Sequence, residues 1–513
     1  MESAPVERDE ARPGSKGLAQ RVAGNSAWLI ARPLLLNVIS IASTGYIARK
    51  LGAGDYGTFN LGFAQVALFV PLCSLGLRGV AVRAVAQDRE HAREIISAVA
   101  GLRLLTTLAA ALLALAWLFI SPYSAATRMI GVAAIASMIC TACGYSPIDL
   151  FQGFERSRLA VMPQIVGGLA LTGLSVLALV LGFGLAGFTV AYVLGAVLQL
   201  VLLLAAARKH YFPIVPSWDP PRYRQLLLQA RAFALIGVVG VWTQPAVLDV
   251  MILAALLGDH AVGPYAAAIG LLGRLLIVPL GIGDALYPAV AHGYAQDRAE
   301  VESGVRRCFT TLALVTVPIS VWLSFAAPTV LWLLFGSEYV SAAPALAVAG
   351  WLLPVAGLGY ALRECLSAVH LQGISARLWA LGGVLTVVLL GLLIPPFGAT
   401  GAALALLGQE LVLLPISALY FARQFQRPVS TGDLGRVALA GALFAAPLAA
   451  AATHYSHLGI TAASFAGAAL YGAAVVWLGL VDLRELPVVG RLLRKKAPAP
   501  VAALAGTEAA QSS

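Results

Sequence analysis

Runs of about twenty apolar residues follow one another along almost the whole chain, each long enough to cross roughly 30 Å of hydrocarbon as a helix. They are continuously apolar and do not alternate every second residue, which argues for helices and against a transmembrane β-barrel. About fourteen spans are expected. Six lie near 24–48, 58–82, 95–120, 129–151, 161–181 and 187–207. Six more lie near 226–257, 263–291, 307–335, 342–371, 378–394 and 401–421, and two near 437–453 and 461–480. A proline-rich polar stretch from Arg208 to Arg224 separates the two sets of six. The expected organisation is a tail (1–22), a first lobe with its linker (23–225), a second lobe (226–424), two extra helices (425–481) and a tail (482–513).

The two sets repeat each other. IARKLGAGDYGTFN at 47–60 has a weaker copy, LAALLGDHAVGPYA, at 253–266, with Leu51, Gly52, Gly57 and Phe59 falling on Leu257, Gly258, Gly263 and Tyr265. LFQGFERSRL (150–159) resembles HLQGISARL (370–378), and GFGLAGF (182–188) resembles PFGATGA (396–402). Self-similarity at a long fixed period marks a duplicated architecture. An even number of crossings per half starts both halves on the same face, so the lobes repeat in parallel about an axis along the membrane normal.

Composition agrees: 60% of the residues are apolar and 11% charged. The net charge of +10 reflects loop placement and needs no nucleic-acid partner. Arg83, Arg89, Arg93, Arg156, Arg158, Arg208, Lys209, Arg306, Arg307, Arg423, Arg427 and Arg436 all fall in even-numbered loops, whereas the opposite face holds little beyond Arg49, Lys50 and Arg128. Basic loops stay inside, which puts both termini in the cytoplasm. The five cysteines lie in or beside apolar spans; Cys140 and Cys143 form a lone C-x-x-C with no histidine near, read as buried thiols.

A charge at mid-bilayer costs about 2.5–3.5 kcal/mol on insertion scales, so ionisable residues inside spans are expected to face water or a partner. The set is Arg32, Arg78, Arg103, Asp149, Asp249, Arg274, Asp284, Arg363, Glu364 and Glu410. Arg32, beside Pro33, and Arg274 are the leading candidates for a cationic cavity, with Arg78 and Arg103 nearer the basic face, where long side chains snorkel. Asp249, Glu410 and Asp284 are candidates for ion coupling or internal pairing. Arg363 and Glu364 are adjacent and so point in different directions on a helix. Arg49 reads as an interface anchor. G-x-G-x-x-G at 182–187 lies between apolar helices with no preceding strand, so no dinucleotide site is read there. No cofactor or metal is expected, and no nucleophile–base or phosphate-loop motif points to an enzyme.

IARKLGAGDYGTFNLGFA followed by LGLRGVAVRAVA, then GPYAAAIGLLGRLLIVPLGIGDALYPAVA, LLFGSEYVSAAPAL and PPFGATGAALA, resembles the Wzx-type polysaccharide flippases of the multidrug/oligosaccharidyl-lipid/polysaccharide exporter superfamily over roughly residues 20–425. The resemblance implies two six-helix lobes alternating between inward-open and outward-open states in a bacterial inner membrane. It implies as cargo an oligosaccharide joined through pyrophosphate to a polyprenol. Membrane lipids, a polysaccharide polymerase and glycosyltransferases are the implied partners. A fixed cation then has a clear task, because an anionic pyrophosphate does not cross hydrocarbon alone, and arginine's planar fork suits phosphate oxygens. A cation-coupled drug exporter of the same superfamily is the alternative. A membrane polymerase or ligase fits less well, since every outer loop is short.

Overall fold

A computed structural model describes residues 15–294, 298–369, 371–425, 431–453 and 456–480, with side chains of the first helix described from 37 onward. The described residues form helices and connecting turns, with no strands among them. The first half comprises α1 (Ser15–Ala67), α2 (Val70–Ser74), α3 (Leu77–Gln87), α4 (Ala92–Ile120), α5 (Ala125–Gly153), α6 (Arg158–Val180) and α7 (Gly184–His210). The second comprises α8 (Pro220–Gly240), α9 (Leu248–Leu257), α10 (Val262–Gly293), α11 (Arg298–Leu334), α12 (Ala343–Ala349), α13 (Leu352–Ala368) and α14 (Gln372–Ala422). Two last helices, α15 (Thr431–Ala452) and α16 (His457–Trp477), pack on α11, where Trp322 donates to Ser464 Oγ at 2.9 Å and Tyr471 to the Leu314 carbonyl at 2.7 Å.

Among the described residues, nine helices are long and apolar enough to cross a membrane, or eleven when each bent pair counts as one span. α1 and α14 each exceed a single crossing. The 51 residues of α14 would extend about 77 Å as one rod, over twice the hydrocarbon thickness. The chain breaks at Gly398 (φ 57°), and the arms fold back: Thr386 donates to Gln409 at 3.4 Å. α1 breaks at Gly52 (φ 76°, ψ 166°). With these two helices counted twice the eleven become thirteen, and α8 with α9, taken as one broken span, brings the arrangement to fourteen passes. Large apolar side chains stand exposed on the outside, Leu112 at 68%, Ile120 at 80% and Phe465 at 75% among them, a surface suited to lipid. This is a multi-pass helical membrane protein.

The duplication is visible in the backbone. Gly258 has φ 86° and ψ 166°, nearly the values of its counterpart Gly52, and Gly184 and Gly398 also match, at φ 59° and 57°. A left-handed φ strains any residue with a Cβ, so glycine lets each helix stop and redirect in one residue. The two copies of the motif then pack on each other. A Cβ on Gly57 would lie 2.8 Å from the Gly263 amide nitrogen, and one on Gly263 would lie 1.9 Å from the Ala53 carbonyl oxygen.

Three expected straight spans are broken. The second bends through Leu75 and Gly76, which adopt left-handed conformations between α2 and α3. The tenth is a 3-10 turn, Ser337–Ala342, followed by α12 and α13, with a 43° bend. The seventh is split into α8 and α9 by a 3-10 turn and an open stretch at 244–247, where Pro245 withholds an amide and Ala246 takes φ 66°. α8 begins at Pro220, inside the stretch read as a linker, and its first amides are capped by Asp219, which accepts from Arg222 N at 3.1 Å. α8 packs on α2, α3 and α4 as well as on α14, so it belongs to both halves.

Candidate functional site

The halves meet chiefly through α1, which contacts α9, α10 and α11. At the end carrying Gly52 the contact is reciprocal. Arg49, from the first half, donates to the last carbonyls of α11: Leu334 at 3.1 Å, Trp332 at 3.0 Å, and Leu333. Glu338, from the second half, accepts the Ala53 amide at 3.0 Å, the first free N–H after the Gly52 break. A cation thus caps the negative end of one helix and an anion the positive end of another. Tyr339 donates to the Ala48 carbonyl at 2.7 Å, and its ring sits edge-on to Tyr56. Arg49 therefore ties the halves together and is not a free interface anchor.

Arg274 lies further along the same seam, half-buried on α10. Its Nε donates to Ser40 Oγ at 3.1 Å, Nη2 to Thr44 Oγ1 at 2.6 Å, and Nη1 to the Gly270 carbonyl at 2.8 Å. Asn37 donates to the Arg274 carbonyl at 3.0 Å. Two of the groups held by the guanidinium come from α1, so it bridges the halves. No carboxylate lies within ion-pair distance of it among the described residues. Arg32 lies on α1, and its side chain is outside the described residues.

The remaining ionisable residues separate into distinct environments. Arg103, expected to face a cavity, is 1% exposed and paired with Asp149 (0%) at 2.7 Å, with Ser146 accepting at 2.8 Å. The reason is local: α4 and α5 pack closely enough to exclude water, and a guanidinium there needs a carboxylate. Arg363 likewise pairs with Glu410 through two bonds, at 3.0 and 3.2 Å, and Gln409 donates to the same carboxylate. Arg78 is exposed on α3 and donates to Gln152 at 3.3 Å. Asp249, a candidate for ion coupling or internal pairing, accepts from Tyr265 at 2.7 Å and from the Ala246 amide at 3.0 Å; its other oxygen is buried without a partner among the described residues. Asp284 is exposed and accepts from Tyr360 at 2.6 Å.

The structure brings Asp284, Glu364 and Glu410 to one cavity of about 690 Å³ in the second half, beside the break between α8 and α9. Gln244, Tyr360, Trp379 and Gln409 line it too, and none of these was singled out from sequence as a site residue. The proline in the seventh span was their one visible signal. A smaller cavity in the first half, about 290 Å³, has no carboxylate or cation in its wall.

Two pseudo-symmetric helical halves with broken membrane helices thus meet at a seam that carries an arginine with no carboxylate partner among the described residues. Residues 22–293, just over half of the chain, match the family described as polysaccharide biosynthesis protein, and the chain belongs to that family. It is 22% identical over 374 residues to the "Probable low-salt glycan biosynthesis flippase Agl15" of Haloferax volcanii, covering 70% of this chain and 75% of that protein. It is 23% identical over 223 residues to the "Uncharacterized membrane protein MJ1068" of Methanocaldococcus jannaschii, covering 42% and 43%. Among solved structures, the lipid II flippase MurJ in an inward closed conformation overlaps with a TM-score of 0.64 at 15% identity, over 86% of this chain and 98% of that one. An inward-facing multidrug resistance MATE family transporter overlaps with a TM-score of 0.60 at 15% identity, over 75% and 94%. These two likenesses concern the fold.

Proposed function

We propose that the chain is an alternating-access flippase that moves a polyprenyl-pyrophosphate-linked oligosaccharide, an O-antigen or exopolysaccharide repeat unit, from the cytoplasmic to the outer leaflet of a bacterial inner membrane. Both termini are then cytoplasmic, and the Gly52 end faces outward, closed in this conformation. The lobes are residues 23–225 and 226–424, with 425–481 flanking the second. The observation that carries the reading is Arg274: a half-buried guanidinium on the seam, held by hydroxyls and a carbonyl, with no acid within ion-pair distance among the described residues. A pyrophosphate supplies the missing anion, and in this reading Arg32 of α1 adds a second cation. Arg78 stands at the cytoplasmic approach. Asp249 is the coupling acid in this reading, since one of its buried oxygens still lacks a donor.

The test is deletion of the gene followed by complementation. Loss of the protein is expected to accumulate a lipid-linked oligosaccharide on the inner leaflet. Wild type restores export, and Arg274→Ala, expressed at normal level, does not. Full export by both Arg274→Ala and Arg32→Ala ends the cationic-seam mechanism. A second reading, a cation-coupled small-molecule exporter, is favoured by the carboxylates of the second-half cavity. Efflux of cationic dyes in cells lacking other exporters, with no glycolipid accumulation on deletion, selects it.

A further inference from the structure

The cavity inside the second half has the wrong charge for a phosphate. Glu410 is neutralised by Arg363. Asp284 and Glu364 have no cation within ion-pair distance among the described residues, so the wall retains negative charge. A pyrophosphate is repelled there and is left to Arg274. The remaining lining is of another chemistry. Trp379 is half-buried, with the Arg363 guanidinium 4.7 Å from its ring centre, and Tyr360 stands edge-on to it at 6.4 Å. The amides of Gln244 and Gln409 complete the polar groups.

Two further facts indicate that the cavity is built to hold something. The seventh span is unwound where it borders the space, and open backbone at membrane depth is tolerated where it lines a cavity. Its volume, about 690 Å³, falls in the range of about 300–1,000 Å³ usual for small-ligand sites. A metal ion is disfavoured, because no group of three His, Cys, Asp or Glu among the described residues is placed to hold one. Aromatic faces with carboxylate and amide acceptors match a hydroxylated ring that is apolar on its faces and polar at its rim.

We infer that this cavity seats a sugar unit of the cargo and prefers one bearing a protonated amine, which Asp284 and Glu364 receive while Trp379 covers a ring face. The inference rests on the flippase reading and names where the glycan goes. Asp284 lies ten residues beyond Arg274 on α10, about 15 Å along the helix axis, so phosphate and sugar sit on one molecule at two places.

The experiment is calorimetric titration of the full-length protein in nanodiscs with three probes: chitobiose (the glucosamine disaccharide of chitosan), its N-acetylated form N,N′-diacetylchitobiose, and inorganic pyrophosphate. Chitobiose is expected to bind at least about tenfold more tightly than N,N′-diacetylchitobiose, the effect of one charge-assisted hydrogen bond. Glu364→Gln removes that preference. Trp379→Ala weakens both sugars, Trp379→Phe retains them, and neither alters pyrophosphate binding. Size-exclusion profiles and melting curves identify variants that fail to fold; the Trp379→Phe and Glu364→Gln pair then decides. Binding of neither sugar, equal binding of the two, or binding indifferent to Glu364→Gln overturns the inference. Glycolipid accumulation on gene deletion stands or falls separately, so loss of the sugar site leaves the flippase reading intact.

Discussion

Replacing Arg49 and Glu338 together by alanine tests whether the Gly52 end is a gate. Both side chains are exposed, so the contacts are screened by solvent and worth less than buried ion pairs. An exposed charge at a helix end contributes about 0.3–1 kcal/mol. Two such caps, one on α11 and one on the arm of α1 after Gly52, give about 0.6–2 kcal/mol in favour of closure, or a change of about 3- to 30-fold in the closed-to-open ratio. The caps exist only while the halves touch, so their loss acts on that equilibrium and leaves each half intact. The assay is pulsed electron–electron distance measurement between spin labels at Phe183 and Phe397. These are matched turn positions in the two halves, exposed at 64% and 55%, in a background lacking the five native cysteines. The double variant is expected to populate a longer distance at the expense of the short one, with each single variant giving part of the effect. An unchanged distribution in nanodiscs at low salt refutes the assignment of these contacts to a gate.

Gly263→Ala disturbs the same seam without touching a charge: its Cβ would fall 1.9 Å from the Ala53 carbonyl, so the backbones must part, at a cost of about 1–3 kcal/mol, and the same labels should report opening. Arg103→Ala leaves Asp149 buried and unpaired, with an expected loss of about 3–5 kcal/mol that appears as a lower melting temperature; the pair Arg103→Met with Asp149→Leu is expected to recover most of it. Asp249→Asn should abolish dependence of transport on a sodium or proton gradient in proteoliposomes while preserving expression; a gradient response equal to wild type removes Asp249 from coupling.

The apolar runs and the repeated glycine motif made the helices, their duplication and the redirecting turns legible before any coordinates, because each follows from a local property: length against the bilayer, and left-handed backbone that demands glycine. The breaks in the second, seventh and tenth spans were not legible as breaks. Pro71, Pro245 and Pro344 were visible, but a window of apolar residues averages over them, and proline inside a membrane helix bends or breaks it according to its neighbours. The fate of each arginine was also hidden. Arg103 finds Asp149 46 positions away and Arg363 finds Glu410 47 positions away, and helix packing alone decides such meetings. Glu338 stood in plain view within LLFGSEY, yet nothing in the order of residues says that its carboxylate reaches the Ala53 amide across the molecule.

On the proposed reading, Arg103, Arg363 and Arg274 show why the seam, and not burial as such, marks the site. Arg103 and Arg363 each have a carboxylate at hydrogen-bond distance, so their charge is already compensated and an arriving anion would first have to displace a covalently tethered partner. Arg274 has its donors engaged by Ser40, Thr44 and the Gly270 carbonyl, which orient the guanidinium but carry no net charge. Its positive charge remains available, and an anion interacts with it without evicting a carboxylate. Because Ser40 and Thr44 belong to α1 and Arg274 to α10, an anion that draws the guanidinium away from those hydroxyls weakens contact between the halves at the same moment. On the proposed reading, binding and separation of the halves are then one event. That coupling requires the arginine to be held by groups weak enough to release it, which hydroxyls are and a buried carboxylate is not.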